Sequence, residues 1–185
     1  IITSVFNSNS SPFISSKKAS SVSIITSGFK IFNFDFAARI FFLFEIIKYL
    51  PKNFVVEILG KGFQNSEFKK QSNENFGDRI IFTDFVRFPA EKIFSSSLLL
   101  SVSHFEGTNN AILESLTLGL PVVSSPTGTK YLIKMNFSGL HVIDGWNPKT
   151  YADEIMKIAK EKYCWVNDFS LNNQKFENEV LKIVK

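Results

Sequence analysis

Short apolar, β-branched runs alternate along the chain with longer stretches whose apolar positions recur at helical spacing. The short runs predict strands at residues 22–27, 54–59, 79–82, 98–102, 121–124 and 139–143. The first ends at Gly28, and the second closes on Gly60-Lys61-Gly62. Helical spacing predicts a helix over 35–50, stopped by Pro51, and an amphipathic one over 150–162. A polar helix is expected over 66–75 and a short one over 90–96. Another is expected over 110–118, ended by Gly119 in the manner of a C-terminal glycine cap. A closing helix is expected from about Leu171. Residues 1–21 are rich in Ser and Asn, contain Pro12, and read as a linker or arm.

Strands with few polar residues, alternating with helices, predict a parallel sheet covered on both faces. The expected fold class is therefore α/β and Rossmann-like. One domain would span 22–170, followed by a C-terminal helix over 171–185. In such sheets ligands bind beyond the carboxyl ends of the strands. The loops to watch are then 28–33, 60–62, 84–89, 103–110 and 125–130. No internal repeat is present.

Composition narrows the picture modestly. At 185 residues the chain can bury a core of ordinary size. Hydrophobic residues are 44% and charged residues 21%, normal for a soluble globular protein. The net charge is +4 and the isoelectric point about 9.1. Its basic residues pair up only at Lys17-Lys18 and Lys69-Lys70, without an Arg-rich or aromatic-interleaved stripe, which argues against nucleic acid as partner. A weak attraction to an anionic membrane surface fits better. Cys164 is the lone cysteine, so no internal disulfide forms, in keeping with a reducing compartment. No stretch reaches the roughly 18–20 apolar residues that span a bilayer. No basic start with a following apolar stretch marks a signal peptide. The first residue is Ile1, not a methionine, and the chain is expected to be a fragment.

The chemistry concentrates in residues 103–114, between a buried strand and a helix. Glu106 falls on the loop and Glu114 about one turn into the helix. Gly107 lets a ligand approach the backbone closely. The helix N-terminus offers N–H groups and a partial positive charge suited to phosphate or sugar oxygens. A carboxylate on the first helical turn can accept two hydrogen bonds from neighbouring hydroxyls, as acidic side chains do when gripping a ribose. These residues point to a ligand with phosphates and vicinal hydroxyls.

Ser103, Glu106-Gly107, Asn109, Leu113-Glu114-Ser115 and Gly119-Leu120-Pro121-Val122-Val123 follow one another in a characteristic order. That series, with the Pro126–Lys130 loop, resembles the two-glutamate motif of GT-B retaining glycosyltransferases of family 4 (group 1). Gly60 and Gly62, the run from Asp78 to Phe82, and Gly139-Leu140 extend the resemblance over roughly residues 22–160. The resemblance implies the C-terminal, nucleotide-sugar-binding half of such an enzyme. Glu114 would hold the donor ribose, and Glu106 the donor-sugar hydroxyls near the transferring carbon. Gly107, Thr108 and Asn109 would face sugar and diphosphate through their backbone. Phe85 and Val86 would lie near the nucleobase. A UDP-sugar is the expected donor, with no cofactor and no required metal. The implied acceptor is a glycan or lipid-linked molecule held by a missing N-terminal domain. The chain alone is expected to be inactive, and its expected place is the cytoplasm, peripheral to the inner membrane face, in surface polysaccharide assembly.

Four positions depart from the family pattern. Phe29 follows Gly28 where an Arg is usual, and Phe32-Asn33 replace a Lys-Gly pair. Those cations would neutralise the diphosphate; Lys30, on the same loop, is the candidate substitute. Tyr131 stands where a Glu commonly follows the Gly-rich loop. These departures keep open a non-catalytic binding or interaction domain descended from such an enzyme. A sugar epimerase on a similar fold is a weaker alternative. Glu114 also has a plain reading as an acid favouring a helix start, and Glu106 as a surface charge. His104, His141, Cys164, Trp146 and Trp165 read as structural or packing residues.

Overall fold

Along the central strands, neighbouring apolar residues face opposite ways, and each face is covered by helices. A computed structural model describes residues 2–4, 20–25, 34–60, 67–84, 86–87, 92–93, 95–104, 109–160 and 174. The strands are β1 (Ile2–Ser4), β2 (Ser20–Ile25), β3 (Phe54–Leu59), β4 (Ile80–Thr83), β5 (Leu99–Ser101), β6 (Val122–Ser124) and β7 (Leu140–Val142). The helices are α1 (Phe34–Tyr49), α2 (Glu67–Phe76), α3 (Asn110–Thr117), α4 (Lys130–Met135) and α5 (Pro148–Lys160), with a 3-10 turn at Gly77–Arg79.

The sheet order is β4-β3-β1-β2-β5-β6-β7, with further pairings of β2 to β3 and β1 to β5. Strands β2 to β7 are parallel wherever they pair. Among themselves these six run β4-β3-β2-β5-β6-β7, the doubly wound order in which the direction of winding reverses between β2 and β5. Such a reversal opens a crevice beyond the carboxyl ends of the two strands. The α/β, Rossmann-like reading of the sequence is the observed fold.

Side-chain alternation sorts the core into two layers. Val56, Ile58, Leu98, Leu100, Val102 and Val123 point toward α1 and α5, meeting Leu43, Ile47, Ile155 and Ile158. Leu59, Leu99 and Val122 point the other way, toward Ala111, Ile112 and Leu116 of α3 and Leu132 and Met135 of α4. Glu57 is the charged exception on β3, 8% exposed. Its Oε1 accepts from Thr83 Oγ1 at 2.5 Å and from Lys92 Nζ at 2.8 Å, the pairing that makes a buried carboxylate tolerable.

Helix ends are closed by specific groups. Arg79 Nη2 donates to the carbonyls of Ile47, Leu50 and Pro51 at 3.0–3.1 Å, and its Nε to Phe54 O at 3.3 Å. One guanidinium thus serves the orphan carbonyls at the end of α1 and the turn into β3. At the end of α3, Gly119 N donates to Leu116 O and Leu120 N to Ser115 O. With Gly119 at φ +78 this is a Schellman closure, as its sequence position suggested.

Three elements differ from the sequence reading. The segment 1–21, read as a linker or arm, contains β1, antiparallel to β2, β3 and β5, and the start of β2 at Ser20. The Ile-Ile-Thr run has strand propensity that the Ser- and Asn-rich composition around it obscured. Helix α4 was not foreseen: six residues are too few to establish a period, and Tyr131 and Ile133 break the polar face. The strand read as starting at Arg79 starts at Ile80 instead, because residues 77–79 form the 3-10 turn. The closing helix expected from Leu171 lies outside the described residues except Gln174, which is helical.

Candidate functional site

The carboxyl end of β5 leads directly into the motif. Val102 and Ser103 are buried and His104 is half-buried. The chain is next described at Asn109, which starts α3. Asn109 is 8% exposed. Its Oδ1 accepts from Ala111 N at 3.1 Å and Ile112 N at 3.4 Å, and its Nδ2 donates to Ser101 Oγ at 3.2 Å. This one side chain caps α3 and ties it to the end of β5. It also alters the sequence expectation of open donors at that helix end. The N–H groups of Ala111 and Ile112 are engaged by the cap, leaving less of the first turn for a ligand.

Glu114 sits on the exposed side of α3. Among the described residues its carboxylate has no hydrogen-bond or ion-pair partner, while its carbonyl accepts from Leu118 N and Thr117 Oγ1. Partial burial without a compensating donor pushes its pKa above the ordinary glutamate value. It is a carboxylate with unused acceptor capacity, on the helix that follows the switch-point strand.

The β6 loop is stitched to the β5 loop. Ser125 N donates to Ser101 O at 2.9 Å, Ser125 Oγ to Ser103 O at 2.8 Å, and Thr127 Oγ1 to His104 O at 3.2 Å. The Ser103 and Ser115 hydroxyls are fully buried with no hydrogen-bond partner among the described residues. From the β7 side, Trp146 stacks on His104 with ring centroids 3.8 Å apart and planes 4° apart. His141, read as structural, has its Nδ1 2.8 Å from Glu154 Oε1 and joins β7 to α5.

Of the sequence-predicted site residues, Asn109 is the buried cap of α3, Glu114 lies on the exposed side of that helix, and Val86 is half-buried against the α3–α4 side of the core. Glu106, Gly107, Thr108, Gly28, Lys30 and Phe85 lie outside the described residues, as do Phe29 and Phe32. Among the described residues, no three metal-ligating side chains converge. The hydroxyl ties of Ser125 and Thr127 and the role of Trp146 were not seen in the sequence. They join residues more than twenty positions apart, and no local spacing signals them.

A parallel sheet with its switch point between β2 and β5, covered by helices on both faces, is the α/β, Rossmann-like fold of the GT-B glycosyltransferase type. The chain belongs to the group 1 glycosyl transferases: that family matches residues 33–161, well over half of it. No curated protein matches the chain. Among solved structures it is similar to WaaG, a glycosyltransferase involved in lipopolysaccharide biosynthesis, with TM-score 0.66 and 16% identity, over 83% of this chain and 42% of that one. The lipopolysaccharide outer core galactosyltransferase WaaB in its apo form gives TM-score 0.64 and 17% identity, over 90% and 50%. Anabaena Alr3699/HepE in complex with UDP gives TM-score 0.64 and 13% identity, over 90% and 49%. The chain therefore spans half or less of the length of these relatives.

Proposed function

We propose that this chain is the donor-binding half of a retaining, family 4 glycosyltransferase, holding a UDP-sugar in the crevice beyond β2 and β5. Glu114 is the observation that carries the proposal. A partly desolvated carboxylate with no partner among the described residues, on the helix after a switch-point strand, suits a pair of ribose hydroxyls, each of which donates one hydrogen bond. The UDP held by the HepE relative supports a uridine nucleotide. Glu106 would orient the donor sugar, with Gly107, Thr108 and Asn109 beside it. Lys30, near Gly28, would meet the diphosphate, and Phe85 and Val86 the base. The leaving diphosphate would be stabilised by the α3 dipole and cationic side chains, with no resident metal or cofactor in the scheme.

We place the acceptor, a glycan or lipid-linked molecule, on a part of the protein outside this chain, in line with the share of WaaG and WaaB it spans. This chain alone would then bind donor without transferring sugar. No described helix is long and apolar enough to cross a membrane. Surface-polysaccharide assembly, in the cytoplasm at the inner membrane face, is the setting we propose. A second reading, a non-catalytic nucleotide-binding domain, is favoured by Phe29 and Phe32 at positions where diphosphate-neutralising cations are expected.

Ligand-observed NMR with UDP-, GDP- and ADP-sugars tests the proposal. The uridine class should bind, and Glu114→Ala should weaken it by about tenfold or more, the worth of a hydrogen bond to a charged group. A folded chain that binds none of them at millimolar concentration would contradict the donor-site reading.

A further inference from the structure

We infer that the exposed face of α4 is a docking surface for an anionic lipid bilayer; the inference deepens the membrane-face setting proposed above. Helix α4 reads Lys-Tyr-Leu-Ile-Lys-Met and carries no acid. Leu132 and Met135 turn inward and are buried in the layer that holds Leu116, Leu120 and Phe137. The other four side chains are exposed. At helical spacing they fall side by side in the order Ile133, Lys130, Lys134, Tyr131, so the two lysines are flanked by isoleucine and tyrosine. Ile133 is 51% exposed and Tyr131 43%. Neither lysine has an ion-pair or hydrogen-bond partner for its ammonium group among the described residues. Position 131, where an acid is usual in the family pattern, is a tyrosine here, so nothing on the helix offsets the two positive charges.

Both ends of the helix are fastened, so this face is presented in one orientation. Ile133 N donates to Thr129 O at 2.9 Å, and the buried Thr129 donates its Oγ1 to Pro126 O at 2.7 Å. At the other end Asn136 adopts φ 49 and donates its N–H to Ile133 O at 3.1 Å. Beside Ile133 a shallow groove lined by Leu132, Phe137, Leu140 and Val142 continues the apolar surface to β7, the edge strand of the sheet. A bilayer interface accommodates every part of this face. Ammonium groups reach the headgroups, the tyrosine ring lies at the boundary, and the isoleucine goes below it. Charge complementarity selects an anionic leaflet, which sets negative charge against both lysines at once, and the net charge of +4 acts in the same direction. Because α4 starts from the loop after β6, the surface begins at the carboxyl edge of the sheet, where the crevice opens.

Co-sedimentation of the full chain with lipid vesicles tests the inference. Binding should be measurable on equal parts phosphatidylglycerol and phosphatidylcholine, fall steeply with added salt, and vanish on phosphatidylcholine alone. Lys130→Gln combined with Lys134→Gln should weaken partitioning about twentyfold, on the order of fivefold for each lysine. Ile133→Ser should weaken it about threefold to tenfold, the scale of half an apolar side chain returned to water. Lys69→Gln combined with Lys70→Gln makes the same change of net charge on α2, which packs by β4 at the opposite edge of the sheet, and should cost about twofold or less. Equal losses in the two double variants, or binding that survives both, would overturn α4 as the surface. Self-association without vesicle binding, abolished by Ile133→Ser, would give the face to a second copy of the chain and overturn the bilayer. A separate titration of the wild-type chain with UDP keeps the two readings apart. A chain that binds UDP and no vesicle overturns this inference alone; one that binds vesicles and no uridine nucleotide leaves it standing and removes the donor site.

Discussion

Glu114 illustrates how a side chain proposed to hold a ligand can oppose stability. Burial alone raises its pKa, so the folded state holds that proton more tightly than the unfolded chain does. The sign follows from linkage: whatever stability the group contributes is fully present below the ordinary carboxylate pKa and is lost as pH rises through the folded value. At neutral pH the ionised side chain is a small cost. Glu114→Gln should therefore raise the melting temperature slightly at pH 7 and leave it unchanged near pH 4, while weakening nucleotide binding. A lower melting temperature at pH 7 would show that the carboxylate has a stabilising partner. Asn109 behaves in the opposite way. Asn109→Ala removes the α3 cap and the tie to Ser101, and should cost about 1–2 kcal/mol in urea denaturation. A loss within experimental error would mean that solvent replaces the cap at no cost. At this scale the sequence placed Glu114 within a helix over 110–118 and Asn109 just ahead of it, as the structure has them. The capping role of Asn109 and the gripping of His104 arise from contacts between loops, which no single segment encodes.

Among the elements, strand β3 was legible to the residue because its β-branched run is bounded by Pro51 and Gly60. Helices α1 and α5 were legible within about two residues, since long periodic stretches specify themselves. Helix α4 and strand β1 were missed because each is short and owes its form to what it packs or pairs with. Arg79 shows a related limit. Its place before a strand was visible, but its work lies on α1 and the following turn, some thirty residues earlier. Burial depresses its pKa, yet its donors are spent on four backbone carbonyls. Arg79→Met keeps the aliphatic stem and removes every one of those bonds. Denaturant titration should show a loss of about 1.5–3 kcal/mol, the range for hydrogen bonds to a charged donor. Arg79→Lys should recover only part of it, because an ammonium cannot reproduce the planar fork.

At the scale of the molecule, winding order decides where a crevice can open at the sheet's carboxyl edge. The order reverses between β2 and β5, and the β6 and β7 loops hold the residues that follow β5 through Ser125, Thr127 and Trp146. The alternation of strands and helices made this architecture readable from the sequence, and membership of the group 1 glycosyl transferases agrees with it. The central claim is that Glu114 in this crevice holds the ribose of a uridine nucleotide. It is tested most directly by a double-mutant cycle in which Glu114→Gln is crossed with removal of both ribose hydroxyls from UDP. If the two groups bond, each change alone should weaken binding by about tenfold or more, and the second change should add little once the first is made. Strictly additive losses, or full affinity in Glu114→Gln, would place the ribose elsewhere and contradict the account.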